Sequence, residues 1–412
     1  KLKEKYSNYN YYVLSYHWDD REKLYKDYLL IQKIYESTLD SLSKKLNFQH
    51  SVNRKKSYWR ILIGPWLGYF IQVLFDRWFM LDKALKEYKF DYININEFSK
   101  VDLVPNSMDE FKDYVVTDQW NEMIYFSILE FLNIENLKII NNKKFRFDDK
   151  VLSSSQSLKS TIKKLRNYFS QELGKSNKLF VKESYLSLSN FTKLSTSINQ
   201  FPSYWESPAL VDKKYNPKYR NFKLNINFEE KEVGTFIKLL ELLIPKNIPK
   251  IYLEGYGDLI ESNLNVKWPK NPKVIFTSVG FFFDDFFKAW IASKLDNGSK
   301  LVTGQHGGNY GILNWFFIED HQYKISDYFL TWGWDKKNKN KLVKIGLFKF
   351  LPKAKTNNFL FNQKQKILLV QASIPRFSYH MYSSPVSQVQ MERYLNDQFN
   401  FVECLPKNIR NK

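Results

Sequence analysis

A single cysteine, Cys404, is all that this chain of 412 residues contains. That scarcity excludes a disulfide framework and any zinc site built on thiolates, and it fits a reducing cytosol. Long apolar runs are missing as well. The most membrane-like stretch, Ile61 to Phe75, is bounded by Arg60 and by Asp76 with Arg77. It falls short of the roughly 20 residues a spanning helix needs and reads instead as a buried helix. No signal-peptide pattern is visible. There is no Gly-x-Ser-x-Gly elbow, no phosphate loop ending in Gly-Lys-Ser/Thr, no His-Glu-x-x-His and no Asp-x-Asp triplet, so hydrolase, nucleotide triphosphatase, metalloprotease and metal-dependent one-domain sugar-transferase readings lose their usual supports.

The formal charge of +20 would suit nucleic acid, an anionic membrane surface or a phosphate-bearing substrate. The lysines are dispersed, however, and occur with abundant Asn, Ile, Phe and Tyr, as AT-rich codons alone would produce. No nucleic-acid recognition module is recognisable, so nucleic acid is not an expected partner. Hydrophobic residues make up 43% of the chain and aromatics 17%, enough for sizeable cores in two or three domains.

Residues 273–312 carry the clearest organisation. Lys273 to Thr277 reads as a strand, Phe283, Phe286, Phe287 and Trp290 recur at helical spacing, and Leu301 to Thr303 opens a second strand. A βαβ unit of this kind implies a parallel sheet, with ligands bound beyond the carboxyl ends of its strands. There the chain reads GQHGGNYG, which places Gln305, His306, Gly307, Gly308 and Tyr310 together. Glycines let a ligand approach the backbone, Gln305 both donates and accepts, and His306 can carry a proton. The same residues equally describe a tight turn whose histidine satisfies a carbonyl.

Upstream, Asp19 and Asp20 head a long amphipathic helix, and Pro65 is expected to kink or divide the next. Strands are expected at Phe90–Ile95, Leu137–Ile140, Phe180–Tyr185 and Lys250–Leu253, and helices at Met108–Tyr114, Gln119–Leu132 and Val233–Leu243. Residues 142–245 read as a loop-rich insertion. Further strands are expected at Tyr328–Trp332 and Leu342–Ile345, residues 349–365 have linker composition, and Lys366–Gln371 with a helix near Met391–Phe399 looks like the start of another nucleotide-binding α/β domain. The expected architecture is α/β: an N-terminal domain over 1–348, a linker, and a second Rossmann-like domain present only in part over 366–412, the chain being a fragment of a longer protein.

The segments YHWDDREKL, YWRILIGPWL with FDRW, SVGFFFDDFFKAW, LVTGQHGGNYG with FLTWGW, and IPRFSYHMYSSP resemble a bacterial family of transferases encoded in O-antigen and surface-polysaccharide clusters, first described from a leptospiral locus. The GQHGG element is also similar to that of Kdo-type capsule and lipopolysaccharide glycosyltransferases. The resemblance implies a two-domain GT-B fold and a metal-independent, cytoplasmic glycosyltransferase with no cofactor beyond its nucleotide-sugar donor. It further implies a lipid-linked glycan acceptor at the inner membrane face. In that light His306 is the first candidate for the general base and Asp285 the second, while Gln305, Gly307, Gly308, Tyr310, Arg376 and His380 are candidates for substrate and donor binding. A glycan-binding scaffold of the same pathway and a nucleotide-sugar epimerase are the alternatives.

Overall fold

The structure, a computed structural model, describes residues 12–96, 100, 102–140, 168–336, 339–346, 368–372, 374–377, 381 and 388–410. Helix α1 (Arg21–Gln49) begins where Asp20 accepts the backbone N–H groups of Glu22 and Lys23, and it buries a stripe from Leu24 to Leu46. The stripe follows from apolar residues three and four positions apart.

Helix α2 (Lys56–Glu87) is buried at every residue from Ile61 to Trp78, as the uncharged run requires. No helix among the described residues is long and apolar enough to cross a membrane. The helix continues through Pro65 instead of dividing there. Burial on all sides outweighs the roughly 3 kcal/mol that an interior proline costs. Its charges are paired as burial demands: Arg60 forks onto Glu36 at 2.8 and 2.6 Å, Arg77 binds Asp76 and donates to Asn121, and His17 donates to Asp76 at 2.9 Å. The amide of buried Gln72, by contrast, finds no partner among the described residues.

Strands β1 (Ile93–Ile95) and β2 (Leu137–Ile139) form a small parallel sheet; helices α3 (Met108–Tyr114) and α4 (Asp118–Phe131) lie between them in the chain, and Phe126 and Leu129 of α4 pack against Ile95. The main sheet is also parallel and runs in chain order: β3 (Leu179–Val181), β4 (Val274–Thr277), β5 (Lys300–Gly304), β6 (Tyr328–Thr331), β7 (Leu342–Lys344). Parallel pairing requires crossovers. Helices α5 (Leu188–Ser197), α6 (Gly234–Asn247) and α7 (Tyr256–Asn265) lie between β3 and β4, α8 (Asp285–Asp296) between β4 and β5, and α9 (Phe317–Ile325) between β5 and β6. Phe180, Ile275, Leu301 and Phe329 alternate onto one face and join α1, α2, α8 and α9 in a single core. Val181 and Phe276 point to the other face, where they pack with Phe191 of α5.

The α/β class and the parallel sheet are as expected, and two local expectations fail. Lys250–Leu253 is a 3-10 turn, because the Lys250 and Ile251 N–H groups bond the carbonyls of Pro105 and Asn106 in place of a neighbouring strand. The strand expected near Phe180 is present as β3, an edge of the main sheet, inside the 142–245 region, whose residues 142–167 lie outside the described ones. Residues 368–371 form no strand, and Leu368 and Val370 are 84% and 78% exposed, with no described strand to pair with. The 349–365 linker lies outside the described residues. Helix α10 (Gln388–Cys404) follows near the expected place.

Two outcomes follow from this packing. Gly68 of α2 meets the Phe317 ring of α9 where any Cβ would sit, so Gly68→Ala should lower stability by about 1–3 kcal/mol in denaturant titration. His50 caps α1, donates to the Tyr252 carbonyl at 3.0 Å and stacks on Tyr256, and burial pushes its pKa down from 6.5 to about 4. Because the folded pKa lies below the unfolded value, this contribution is complete above pH 6.5 and is lost as pH falls towards 4. His50→Gln should flatten that part of the stability profile.

Candidate functional site

The carboxyl ends of β3, β4 and β5 lie side by side, and the segments that follow them build the site. After β3 the chain reads Lys182, Glu183, Ser184, Tyr185. Glu183 and Tyr185 adopt φ values of 53° and 60°, a left-handed conformation uncommon for non-glycine residues and found where the surroundings over-determine it. They line a cavity of about 710 Å³ together with Ser203, Tyr204, Trp205, Glu206, Ser207 and Asp284.

Lys182 is the electrostatic centre of that cavity. Its side chain is 6% exposed and its ammonium lies 2.6 Å from Glu183 and 2.8 Å from Asp284. Burial alone would lower its pKa, but the two carboxylates outweigh this and raise it above the usual value. Asp284 does three things at once: it accepts the Phe287 N–H at 2.9 Å as the N-cap of α8, binds Lys182, and accepts from the Ser207 hydroxyl at 2.5 Å.

Asp285, expected as the second candidate base, faces the other way, which corrects that expectation. Its carboxylate is fully buried and accepts from the Met108 backbone N–H (2.7 Å) and the Tyr252 hydroxyl (2.6 Å), and it pairs with Lys288 (2.6 Å). A carboxylate so enclosed and so fully engaged cannot reach a substrate hydroxyl. Its neighbour Asp284 is the one that reaches a cavity.

The turn after β5 lies on the Tyr185 side of the cavity, with the rings of His306 and Tyr185 6.4 Å apart. His306 Nδ1 is hydrogen-bonded to the hydroxyl of Tyr310 at 3.1 Å, and Tyr310 is itself buried against Phe316 and Phe329. Gln305 is buried and occupied with scaffolding. Its Nε2 donates to the Gly307 carbonyl, and its Oε1 accepts from the Trp332 N–H and from Trp334 Nε1 at 2.9 and 2.7 Å. It thereby ties the turn after β5 to the WGW turn after β6.

The glycines divide by cause. Gly311 has a φ of +77° and packs against the Trp334 ring, so both conformation and space require it. Gly307 and Gly308 have neither a left-handed φ nor any atom within 4 Å of the point where a Cβ would sit. Nothing within the described chain requires glycine at these two positions, and what glycine leaves there is open space over the backbone beside His306.

Arg376 is not brought to this cluster. It sits against α4, 3.5 Å from Asp118, with its guanidinium over the Phe377 ring and its side chain 65% exposed. His380 lies outside the described residues. Sequence reasoning does not single out Lys182, Glu183, Ser207 or Asp284 as binding residues. The first three fall in the stretch with least sequence periodicity, and the signal that could have found Asp284 is the Asp-Asp pair at a helix start, of which only one member can face inward. Among the described residues no group of His, Cys, Asp and Glu side chains could hold a metal ion.

A family model described as LIC12162 family transferase matches residues 1–412. No curated protein and no solved structure matches the chain.

The two aspartates should separate experimentally. Asp285→Ala leaves Lys288 buried without its carboxylate and should cost about 3–5 kcal/mol in denaturant titration. Asp284→Asn keeps a cap acceptor for the Phe287 N–H and should cost less than half as much. Gly307→Ala should leave stability within about 0.5 kcal/mol of the parent, whereas Gly311→Ala should be clearly destabilising.

Proposed function

Since the chain belongs to the LIC12162 family of transferases, we propose that the group it transfers is a sugar, moved from a nucleotide-sugar donor to a hydroxyl of a growing surface glycan. The observation that carries this reading is the cavity at the carboxyl edge of the sheet, where Glu183, Asp284, Ser207 and Tyr185 stand beside the His306 turn. Hydroxyl groups and carboxylates at this density suit a polyhydroxylated substrate.

In this mechanism the acceptor sugar lies in the cavity with one hydroxyl at His306. The imidazole takes the proton from that hydroxyl as the oxygen bonds to the anomeric carbon of the donor, and the bond from that carbon to the phosphate oxygen breaks. The nucleotide leaves with the electron pair. With Nδ1–H donating to the Tyr310 hydroxyl oxygen, the ring is held so that the other, unprotonated nitrogen serves as base. The backbone beside Gly307 and Gly308 has room for the reacting groups, and donor phosphates are met by N–H groups and basic side chains. A GT-B arrangement, with donor binding by a second Rossmann-like domain, and a lipid-linked acceptor at the inner membrane face belong to this proposal.

The full chain should release free nucleotide from one class among CMP-, UDP-, GDP- and dTDP-sugars only when a glycan acceptor is present. His306→Ala should lower kcat by roughly 10²–10⁴-fold while the thermal shift given by the donor persists. Equal nucleotide release with and without acceptor, or a His306→Ala variant of unchanged kcat, would sink the proposal.

A further inference from the structure

The lining of the 710 Å³ cavity has a charge sign that the function alone does not require. Glu183, Glu206 and Asp284 contribute three carboxylates and Lys182 one ammonium, so the wall carries a net negative formal charge. The one cation in that lining is not available to a ligand anion. It is buried between Glu183 and Asp284 at 2.6 and 2.8 Å, and Asp284 is held in place in turn by Ser207 and by the head of α8. A ligand carboxylate or phosphate would have to displace one of those carboxylates and then remain beside the others.

Resting on the glycan-transfer reading above, we infer that this cavity is the subsite for an acceptor sugar ring that bears no acid group, and that it rejects uronic acids, other sugar acids and phosphorylated sugars. A carboxylate has only acceptor sites, so a wall of carboxylates selects a ligand that presents hydroxyl donors. A sugar acid would call for the opposite wall, with forked guanidinium or clustered N–H donors. The apolar component of a sugar ring, its C–H face, has partners too: Tyr185, Tyr204 and Trp205 all line the cavity, and Tyr185 is 41% exposed. The volume falls within the range of small-molecule sites and holds a mono- or disaccharide unit.

The test is ligand-observed NMR titration of the full chain with methyl glucoside, methyl galactoside, methyl rhamnoside, methyl glucuronoside and inorganic phosphate. At least one neutral glycoside should bind, with methyl glucuronoside at least tenfold weaker and phosphate unable to compete. Glu183→Gln and Glu206→Gln, each checked for an unchanged melting temperature, should narrow the gap between the neutral glycosides and the glucuronoside. Glu206→Lys should narrow it further. Binding of the glucuronoside as tight as that of the neutral glycosides, competition by phosphate, or no glycoside binding at all would overturn the inference. Acceptor-dependent nucleotide release reports on transfer separately. Transfer that proceeds with the acid preference reversed removes the subsite inference alone, and the expected glycoside order without transfer upholds the subsite while removing the transfer reading.

Discussion

Two adjacent carboxylates at the head of α8 hold the core and the cavity in one frame. Asp285 turns inward and is satisfied by a backbone N–H of α3, a tyrosine hydroxyl and the buried ammonium of Lys288. Asp284 turns outward and holds Lys182 from β3's end and Ser207 from the following loop. Because consecutive residues cannot move independently, the charge network that fixes α8 in the core also fixes the cavity wall. Buried ion pairs of this kind contribute little net stability compared with apolar residues, yet breaking one is costly. Their effect here is positional: chain segments distant in sequence are referred to a single helix terminus.

The turn after β5 is fixed by a comparable division of labour. Gln305 spans to the turn after β6, the Gly311 N–H is taken by the buried carboxylate of Glu319 at 2.8 Å, and Tyr310 anchors the ring of His306 from below. With these points pinned, Gly307 and Gly308 form the open face of a turn whose neighbours are immobilised. An imidazole held in this way has little freedom to reorient.

Much of the architecture is legible in sequence because it depends on local periodicity. Leu24 to Leu46 spells a helix face, and Ile275, Leu301 and Phe329 lie in short β-branched or aromatic runs that suit buried strands. The uncharged Ile61–Phe75 run is readable as interior for the same reason. Long-range partners are what sequence leaves open. Lys250–Tyr252 has strand-like residues but pairs with Pro105 and Asn106, and the strand read near Phe180 gives no sign in sequence that its partner is β4. At the site, the QHGG turn is visible as a cluster, but the scaffolding role of Gln305 depends on Trp332 and Trp334, 27 and 29 residues away. The choice between Asp284 and Asp285 depends on which one meets Met108, a contact 177 residues distant.

The burial of α2 also bears on how the chain is made. Every residue from Ile61 to Trp78 needs cover, and much of that cover comes from α8 and α9, which begin at Asp285 and Phe317. At translation rates of roughly 5–20 residues per second, the roughly 200 intervening residues take on the order of 10–40 s to emerge. Throughout that interval a helix with the surface of an interior element stands without α8 and α9 on the nascent polypeptide. Transiently exposed apolar surface of this kind is aggregation-prone until the later helices cover it.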